Sequence, residues 1–220
     1  MNISNYKLDN CYLHELGWLC SSIKNECDKI FENTKLPEEG KNYIKVSPEL
    51  HSRIYKVLMD AANIKKLIFP FVAKKKKKES TKLFVLRKRR ADKLQKLFET
   101  IEISEIKNSD IRNSLEHFDE KLDEFNYSLS EENNIDFAAY NMSIAYPQIL
   151  GKTIFPIRLY VASEKTFYNF KWKINLGQIY KEAIAMLNKL IELNLFPKDG
   201  PGGLMIPLSK RAEPGNAAER

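Results

Sequence analysis

Residues 107–126, KNSDIRNSLEHFDEKLDEFN, have the apolar spacing of an amphipathic helix. On a helical wheel at about 100° per residue, five apolar side chains lie within roughly 60° of each other and form one stripe. They are Ile111, Leu115, Phe118, Leu122 and Phe125. Arg112, Asn113 and His117 flank the opposite face of the wheel. The segment therefore predicts a helix that packs one face on a core and presents a polar cluster on the other.

Apolar residues at helical spacing predict five more helices, at residues 8–32, 47–69, 81–101, 132–145 and 176–194. Ser47 and Asn175 are suitable N-caps for the second and the last of them. Two segments rich in β-branched and aromatic residues, 153–161 and 165–174, predict the strands of a β-hairpin. Pro156 indicates that the first of these strands lies at an edge, because proline cannot donate a ladder hydrogen bond.

These elements predict a mainly α fold, a helical bundle of about five or six helices with a small β-hairpin at about 153–174 before the last helix. Residues 1–196 are expected to form a single domain. Residues 197–220 are dominated by proline, glycine, charge and alanine, and they predict a flexible C-terminal tail.

The net charge of +7 and a pI of about 9.1 favour polyanionic partners, with RNA among them. Much of the excess lies in two runs, residues 74–78 and 87–90. The candidate RNA-binding residues are Arg87, Lys88, Arg89, Arg90, Lys75 and Lys76. A solvated connector at 74–80 and a solvated positive helix face at 87–90 are the alternative interpretations.

The three cysteines, Cys11, Cys20 and Cys27, lie close together in one predicted helix. An odd number of thiols without a secretion signal predicts reduced cysteines in a cytoplasmic protein. No ligand spacing completes a tetrahedral metal site, so we expect no metal and no cofactor. The apolar runs are short and broken by charge, so we expect no membrane span.

The polar cluster on the 107–126 helix has two interpretations. Arg112 can simply pair with Glu116 four residues later, as on many solvated helix faces. Alternatively, Arg112-Asn113, three residues and His117 resemble the Arg-x4-6-His signature of the HEPN superfamily, in which Asn, His or Asp often follows the arginine. The order of predicted helices is also similar to that superfamily, with the motif late in the bundle.

The resemblance implies a HEPN-like helical domain with metal-independent endoribonuclease activity. The RNA 2′-hydroxyl would attack the phosphate and leave a cyclic phosphate. His117 would act as base or acid, and Arg112 would bind the phosphate oxygens. Asn113 would orient the His117 ring or the scissile phosphate. One histidine per chain on this face agrees with the family habit of a composite active site at a homodimer interface.

The expected partners are therefore RNA, a second copy of the chain, and a cognate antitoxin or regulatory protein. The first hypothesis is a toxin or defence effector that cuts RNA. The second is a non-catalytic HEPN-like RNA- or protein-binding dimerisation module. The third is an unrelated helical protein in which the motif is accidental.

Overall fold

In the computed structural model, which describes residues 9–39, 41–70, 73–129, 135–149, 154–200 and 202–203, five α-helices precede a run of four strands and the sixth follows it. The helices are α1 (Asp9–Asn33), α2 (Pro48–Ile68), α3 (Thr81–Leu97), α4 (Asp110–Glu116), α5 (Phe118–Leu129) and α6 (Leu176–Glu192). The strands are β1 (Ile44–Lys45), β2 (Phe137–Ile144), β3 (Ile154–Val161), β4 (Thr166–Asn169) and β5 (Trp172–Asn175). A short 3-10 helix spans Pro147–Ile149. The described fold is mainly helical with one five-stranded sheet.

The core is built around α1, which contacts α2 on one side and α6 on the other. Leu16, Ile23 and Ile30 of its apolar stripe are fully buried. Both predicted N-caps are confirmed: Ser47 Oγ accepts from the Leu50 N–H at 3.1 Å, and Asn175 Oδ1 accepts from the Gln178 N–H at 2.7 Å. Each cap satisfies one of the backbone donors that a helix N-terminus leaves without an intrahelical acceptor.

The sheet is larger than the predicted hairpin. Its strand order is β1-β2-β3-β4-β5, with β2 and β3 parallel and every other neighbouring pair antiparallel. Strands β3 and β4 are joined by residues 162–165, and the single strand predicted at 165–174 is divided into β4 and β5, which pair with each other. Helix α6 follows β5 directly and packs back over α1.

The predicted helix at 132–145 is wrong over its described part, because residues 137–144 form β2. Residues 132–134 of that prediction lie outside the described residues. The apolar spacing of this segment is compatible with a helix. Its conformation is fixed by pairing with β3, from Phe137 opposite Ile154 to Ile144 opposite Val161. Tertiary pairing therefore decides a segment whose local pattern is ambiguous.

The edge position predicted from Pro156 is also wrong, because β3 is an inner strand of the sheet. Pro156 lies opposite Ala139 of β2, and its carbonyl accepts from the Phe170 N–H at 2.9 Å on the other side. Strand β4 pairs with β3 only at residues 159–161, beyond the proline. An inner proline is tolerated here because the regular ladder with β4 does not reach it.

Strands β2 and β3 are both kinked at the same level. Asn141 and Arg158 have φ values of 53° and 55° and fall between the registered pairs Tyr140–Ile157 and Met142–Leu159. Such a left-handed conformation is uncommon for residues other than glycine. The ring of His51, which is buried on α2, holds the kink in β3, since its Nε2 lies 2.8 Å from the Arg158 carbonyl oxygen.

The predicted single helix over 107–126 is two helices, α4 and α5, separated by His117. His117 has φ −109° and ψ 40°, outside the helical region, although its N–H still bonds the Asn113 carbonyl at 3.0 Å. Ile111 is buried in the main core, whereas Phe125 packs in a separate cluster with Ile157 and Phe170. The kink lets one apolar stripe serve two different parts of the core.

The segment before α4 is fixed by a buried carboxylate on α6. Glu182 Oε1 accepts from the N–H groups of Ser104 and Glu105 at 2.9 and 3.0 Å, and Oε2 accepts from the Ile106 N–H at 2.9 Å. The Ser104 hydroxyl also donates to Oε1 at 2.8 Å. Because Glu182 is only 2% exposed, these bonds replace its hydration. They set where the chain enters α4.

The end of α6 is followed by a short packed segment. Phe196 is buried, and its ring lies so close to Gly17 that a Cβ there would be 2.2 Å from it. Residues 201 and 204–220 of the predicted tail lie outside the described residues. Among the described helices, none has the length and apolarity needed to cross a membrane.

We expect Glu182→Gln to lower the free energy of unfolding by about 2–3 kcal/mol, because an amide cannot accept with both ends from this set of donors. Amide hydrogen exchange at residues 104–106 should accelerate more than exchange in α1. Chemical denaturation and hydrogen exchange measure the two effects. The matched variant Glu192→Gln, at an exposed position of the same helix, should change stability by less than about 0.5 kcal/mol. Equal losses in both variants would contradict the role of the carboxylate.

Candidate functional site

Asn113 is the centre of the candidate site on α4. The Arg112 Nη2 donates to Asn113 Oδ1 at 3.2 Å, and the His117 N–H donates to the Asn113 carbonyl oxygen at 3.0 Å. The three motif residues are therefore brought together at the last turn of α4, where the helix ends. Asn113 and His117 are exposed, as expected from the wheel.

Arg112 differs from the sequence-based expectation. Its side chain is only 22% exposed, and its Nε is buried without a hydrogen-bond partner. It lines a cavity of about 10 Å³ between α4 and α2, together with Leu58, Ala62 and Lys65. That volume holds one water molecule at most. Arg112 therefore lies at the edge of the core, with one end of its guanidinium directed to Asn113.

Each charged residue of the motif has an acidic neighbour one helical turn away. Arg112 Nε lies 3.7 Å from Glu116 Oε1, which is the i, i+4 pair expected for a solvated helix face. His117 Nδ1 lies 3.5 Å from Glu120 Oε2, and the His117 side chain is 57% exposed. A carboxylate beside one ring nitrogen orients the imidazole. The other nitrogen, Nε2, is left to meet a ligand.

The buried face of α4 is fixed by a polar contact as well as by Ile111. Asn169 of β4 donates through Nδ2 to Ser114 Oγ at 3.0 Å, and Ser114 Oγ donates to the Ile111 carbonyl at 2.7 Å. Both side chains are buried. The wheel did not single out Ser114, because a small polar residue beside an apolar stripe carries no distinctive pattern. This contact sets the rotation of α4 and hence the direction of Asn113.

The other two histidines are engaged elsewhere. His14 packs against Trp18 and Phe196, with ring centroids 5.9 and 5.4 Å away. His51 has Nδ1 at 3.1 Å from the Ser47 carbonyl and Nε2 at the Arg158 carbonyl. Within the described part of one chain, no second imidazole is therefore available to act with His117.

The surface that carries the motif is acidic. Residues 110–129 contain six Asp or Glu and two Arg or Lys, a net charge of −4. Such a surface repels phosphate groups at long range. Attraction of a polyanion must therefore come from another part of the chain.

The positive charge of the chain is concentrated in the basic segment, residues 74–93. It contains eleven Lys or Arg and two Asp or Glu, a net charge of +9, so the rest of the chain carries −2. None of residues 73–90 belongs to the buried core, whereas Ala91 and Leu94 of the same helix do. The predicted RNA-binding residues Lys75, Lys76, Lys88 and Arg89 are exposed. This segment is a protruding basic surface at the start of α3.

Two of the predicted RNA-binding arginines have structural contacts. Arg87 donates from Nε and Nη2 to the two carboxylate oxygens of Glu79, at 2.8 and 2.7 Å. The guanidinium carbon of Arg90 lies 4.9 Å from the centre of the Tyr12 ring. The Lys76 N–H also donates to Glu79 at 3.0 Å. Glu79 thus fastens the lysine run to the first turns of α3, and Arg87 is less available to RNA than the sequence implied.

Two of the three cysteines, Cys20 and Cys27, are buried in the core. The three cysteines are free, and burial raises the pKa of Cys20 and Cys27 to about 12, so both remain thiols at neutral pH. Across the described ranges, no group of three or more His, Cys, Asp and Glu side chains could hold a metal ion.

Sequence reasoning missed a second polar group close to the motif. Arg158 of β3 lies over the ring of Phe118, the residue that follows His117, and its guanidinium carbon is also 5.7 Å from the centre of the Tyr55 ring of α2. These three residues are far apart in sequence. A single arginine in a β-rich segment gave no signal that it would reach the helical layer.

No family model, curated protein or solved structure matches the chain.

We expect the Glu79 carboxyl to titrate with a pKa of about 2, because the hydrogen bonds from Arg87 favour its charged form. Because the folded-state pKa is below the ordinary value of about 4.3, the contact stabilises the folded loop at pH values above about 4.3. The stabilisation is lost as the pH falls through about 2. An NMR titration of side-chain carboxyl carbons measures the midpoint.

The control compares two Arg→Lys variants of α3. Arg87→Lys keeps the charge but loses the fork of donors, so the midpoint of Glu79 should rise toward the ordinary range. Arg90→Lys should leave it unchanged. If the midpoint of Glu79 is the same in Arg87→Lys as in the wild type, the hydrogen bonds from Arg87 are not the cause of the low pKa.

Proposed function

We propose that the chain is a metal-independent endoribonuclease of the HEPN type, a cytoplasmic toxin or defence effector. The observation that supports this most directly is that Arg112, Asn113 and His117 lie together at one helix end, where Arg112 Nη2 donates to Asn113 Oδ1 at 3.2 Å.

In the proposed reaction a base removes the proton from the RNA 2′-hydroxyl, and the oxygen attacks the adjacent phosphorus. The bond from phosphorus to the 5′-oxygen breaks, and an acid donates a proton to that leaving group. His117 is suited to either step, with Glu120 orienting its ring. Arg112 would stabilise the charge on the pentacoordinate phosphate. The product is a 2′,3′-cyclic phosphate.

A homodimer would supply the second imidazole. His14 and His51 are committed to packing and to backbone carbonyls, so the acid and the base are two copies of His117 from two protomers. The exposed end of α4 and the first turn of α5 are then the dimer contact. A cognate antitoxin or regulatory protein would act by covering the same surface.

RNA would be captured by the basic segment and cleaved at the motif. The net charge of +9 at residues 74–93 releases counterions from RNA, whereas the −4 of residues 110–129 gives no such gain. Binding and cleavage are therefore expected to be separable by mutation.

A second candidate is a HEPN-like dimerisation module that binds RNA or protein without catalysis. The observation that favours it is that Arg112 and His117 each face a carboxylate, Glu116 and Glu120, on an acidic surface. In this case the ion pairs stabilise the helix ends, and the basic segment alone carries the affinity for RNA.

We expect purified protein to cleave single-stranded RNA in EDTA and to leave cyclic phosphate ends. His117→Ala and Arg112→Ala should each reduce the rate at least about 100-fold, since each removes a group that acts in the transition state. Denaturing gels with end-group analysis measure this effect. Lys121→Ala, a neighbouring cation paired with Glu124, is the matched control and should keep the wild-type rate.

The same preparation separates the two candidates. A folded dimer that leaves a panel of structured and unstructured RNAs intact, yet binds them with salt-dependent affinity, would support the module and refute the nuclease. A monomer that neither binds nor cleaves RNA would refute both.

A charge-reversal variant tests the proposed capture surface. Lys75→Glu combined with Lys76→Glu should weaken RNA binding about tenfold at low salt and reduce the slope of log affinity against log salt. The rate of cleavage at saturating RNA should be unchanged, because neither lysine lies at the motif. Filter binding at several salt concentrations measures the affinity, and Lys181→Glu combined with Lys189→Glu on α6 is the control. Equal losses from both pairs would show that only net charge matters.

A further inference from the structure

Arg158 is a partly buried cation without a counter-ion among the described residues. The carbon of its guanidinium lies 3.8 Å from the centre of the Phe118 ring and 5.7 Å from that of Tyr55. Its Nε–H is buried and donates to no acceptor. Cation–π attraction to the two ring faces offsets part of the hydration energy that the guanidinium loses, but a ring face is not a counter-ion.

Tyr55 provides a second donor in the same state. Its hydroxyl is buried and has no hydrogen-bond partner. Burial raises the pKa of Tyr55, and the positive charge of Arg158 opposes that rise only in part, so the phenol keeps its proton at neutral pH. The Tyr55 oxygen could accept from an arginine N–H, but neither it nor the Arg158 Nε–H makes a hydrogen bond.

The backbone is strained at the place that aims Arg158. Its φ of 55° is a left-handed conformation that is unfavourable for a residue other than glycine. Around the kink, Ile157 and Tyr160 both pack toward helices, and Arg158 between them reaches Phe118 at the start of α5. The His51 side chain fixes the conformation by bonding the Arg158 carbonyl.

A cation without a counter-ion and a phenol without a hydrogen-bond partner would both be satisfied by a negatively charged group that accepts hydrogen bonds. A phosphate group offers several oxygens to a guanidinium fork and to a hydroxyl donor at once. We infer that Arg158 and Tyr55 form an oxyanion site that binds a phosphate group, over the ring of Phe118. The inference holds whether or not the motif on α4 is catalytic.

The site adjoins the candidate active site through Phe118, the residue next to His117. The phosphate can come from free inorganic phosphate or from the backbone of RNA. In either case the bound group meets the donors of Arg158 and Tyr55.

The test follows the Nε–Hε signal of Arg158 by NMR in two titrations of the full chain, one with inorganic phosphate and one with a short single-stranded RNA. We expect a saturable shift of this signal in at least one titration. Tyr55→Phe should weaken that binding about five- to tenfold without loss of stability, because it removes only an unsatisfied hydroxyl. In Arg158→Gln the arginine signal no longer exists, so binding is read from the Phe118 amide signal. Saturable binding should be abolished in this variant, although Tyr55 remains.

Tyr43→Phe is the matched control, since the Tyr43 hydroxyl donates to the Thr34 carbonyl at 3.1 Å and plays no part in the site. It should leave the affinity unchanged. Tighter binding of RNA than of phosphate assigns the site to the RNA backbone, and the reverse assigns it to free phosphate. The inference is overturned if the Arg158 signal shifts with neither ligand, or if the affinity of Tyr55→Phe equals that of the wild type.

Discussion

The burial of α1 between α2 and α6 is the interaction on which the rest of the structure depends. Leu16, Ile23 and Ile30 lose all exposure there, and each fully buried side chain of this size contributes about 1.5–3 kcal/mol. Helix α6 is contributed by residues 176–192, far along the chain from α1. The packing of α6 on α1 therefore closes a long loop of the chain. The elements between α2 and α6 must fold within that loop.

The sequence predicts α1, α2 and α6 well because each has a long apolar stripe, and two of them have an N-cap that is visible locally. It fails at β2, where a short segment takes its conformation from β3 through a parallel pairing. It fails again at the kink of β3, because nothing in the neighbours of Arg158 indicates a left-handed backbone. Local patterns do not contain the information that distant strands supply.

The candidate site shows the same division. Arg112, Asn113 and His117 were found from their spacing on one helix, and the structure brings them to one helix end. The half-burial of Arg112 could not be predicted from the sequence, because it depends on where α2 lies. Tyr55 and Arg158 could not be found either, because α2 and β3 meet only in the folded chain. Chemistry that sits on one helix can be predicted from sequence, and chemistry shared between elements cannot.

The uneven charge of the chain has a consequence for how the molecule moves. With +9 on residues 74–93 and −2 on the remainder, the protein has a large electric dipole as well as a net charge. In the field of a polyanion such a molecule experiences a torque before it makes contact. A polyanion would therefore be met first by the start of α3.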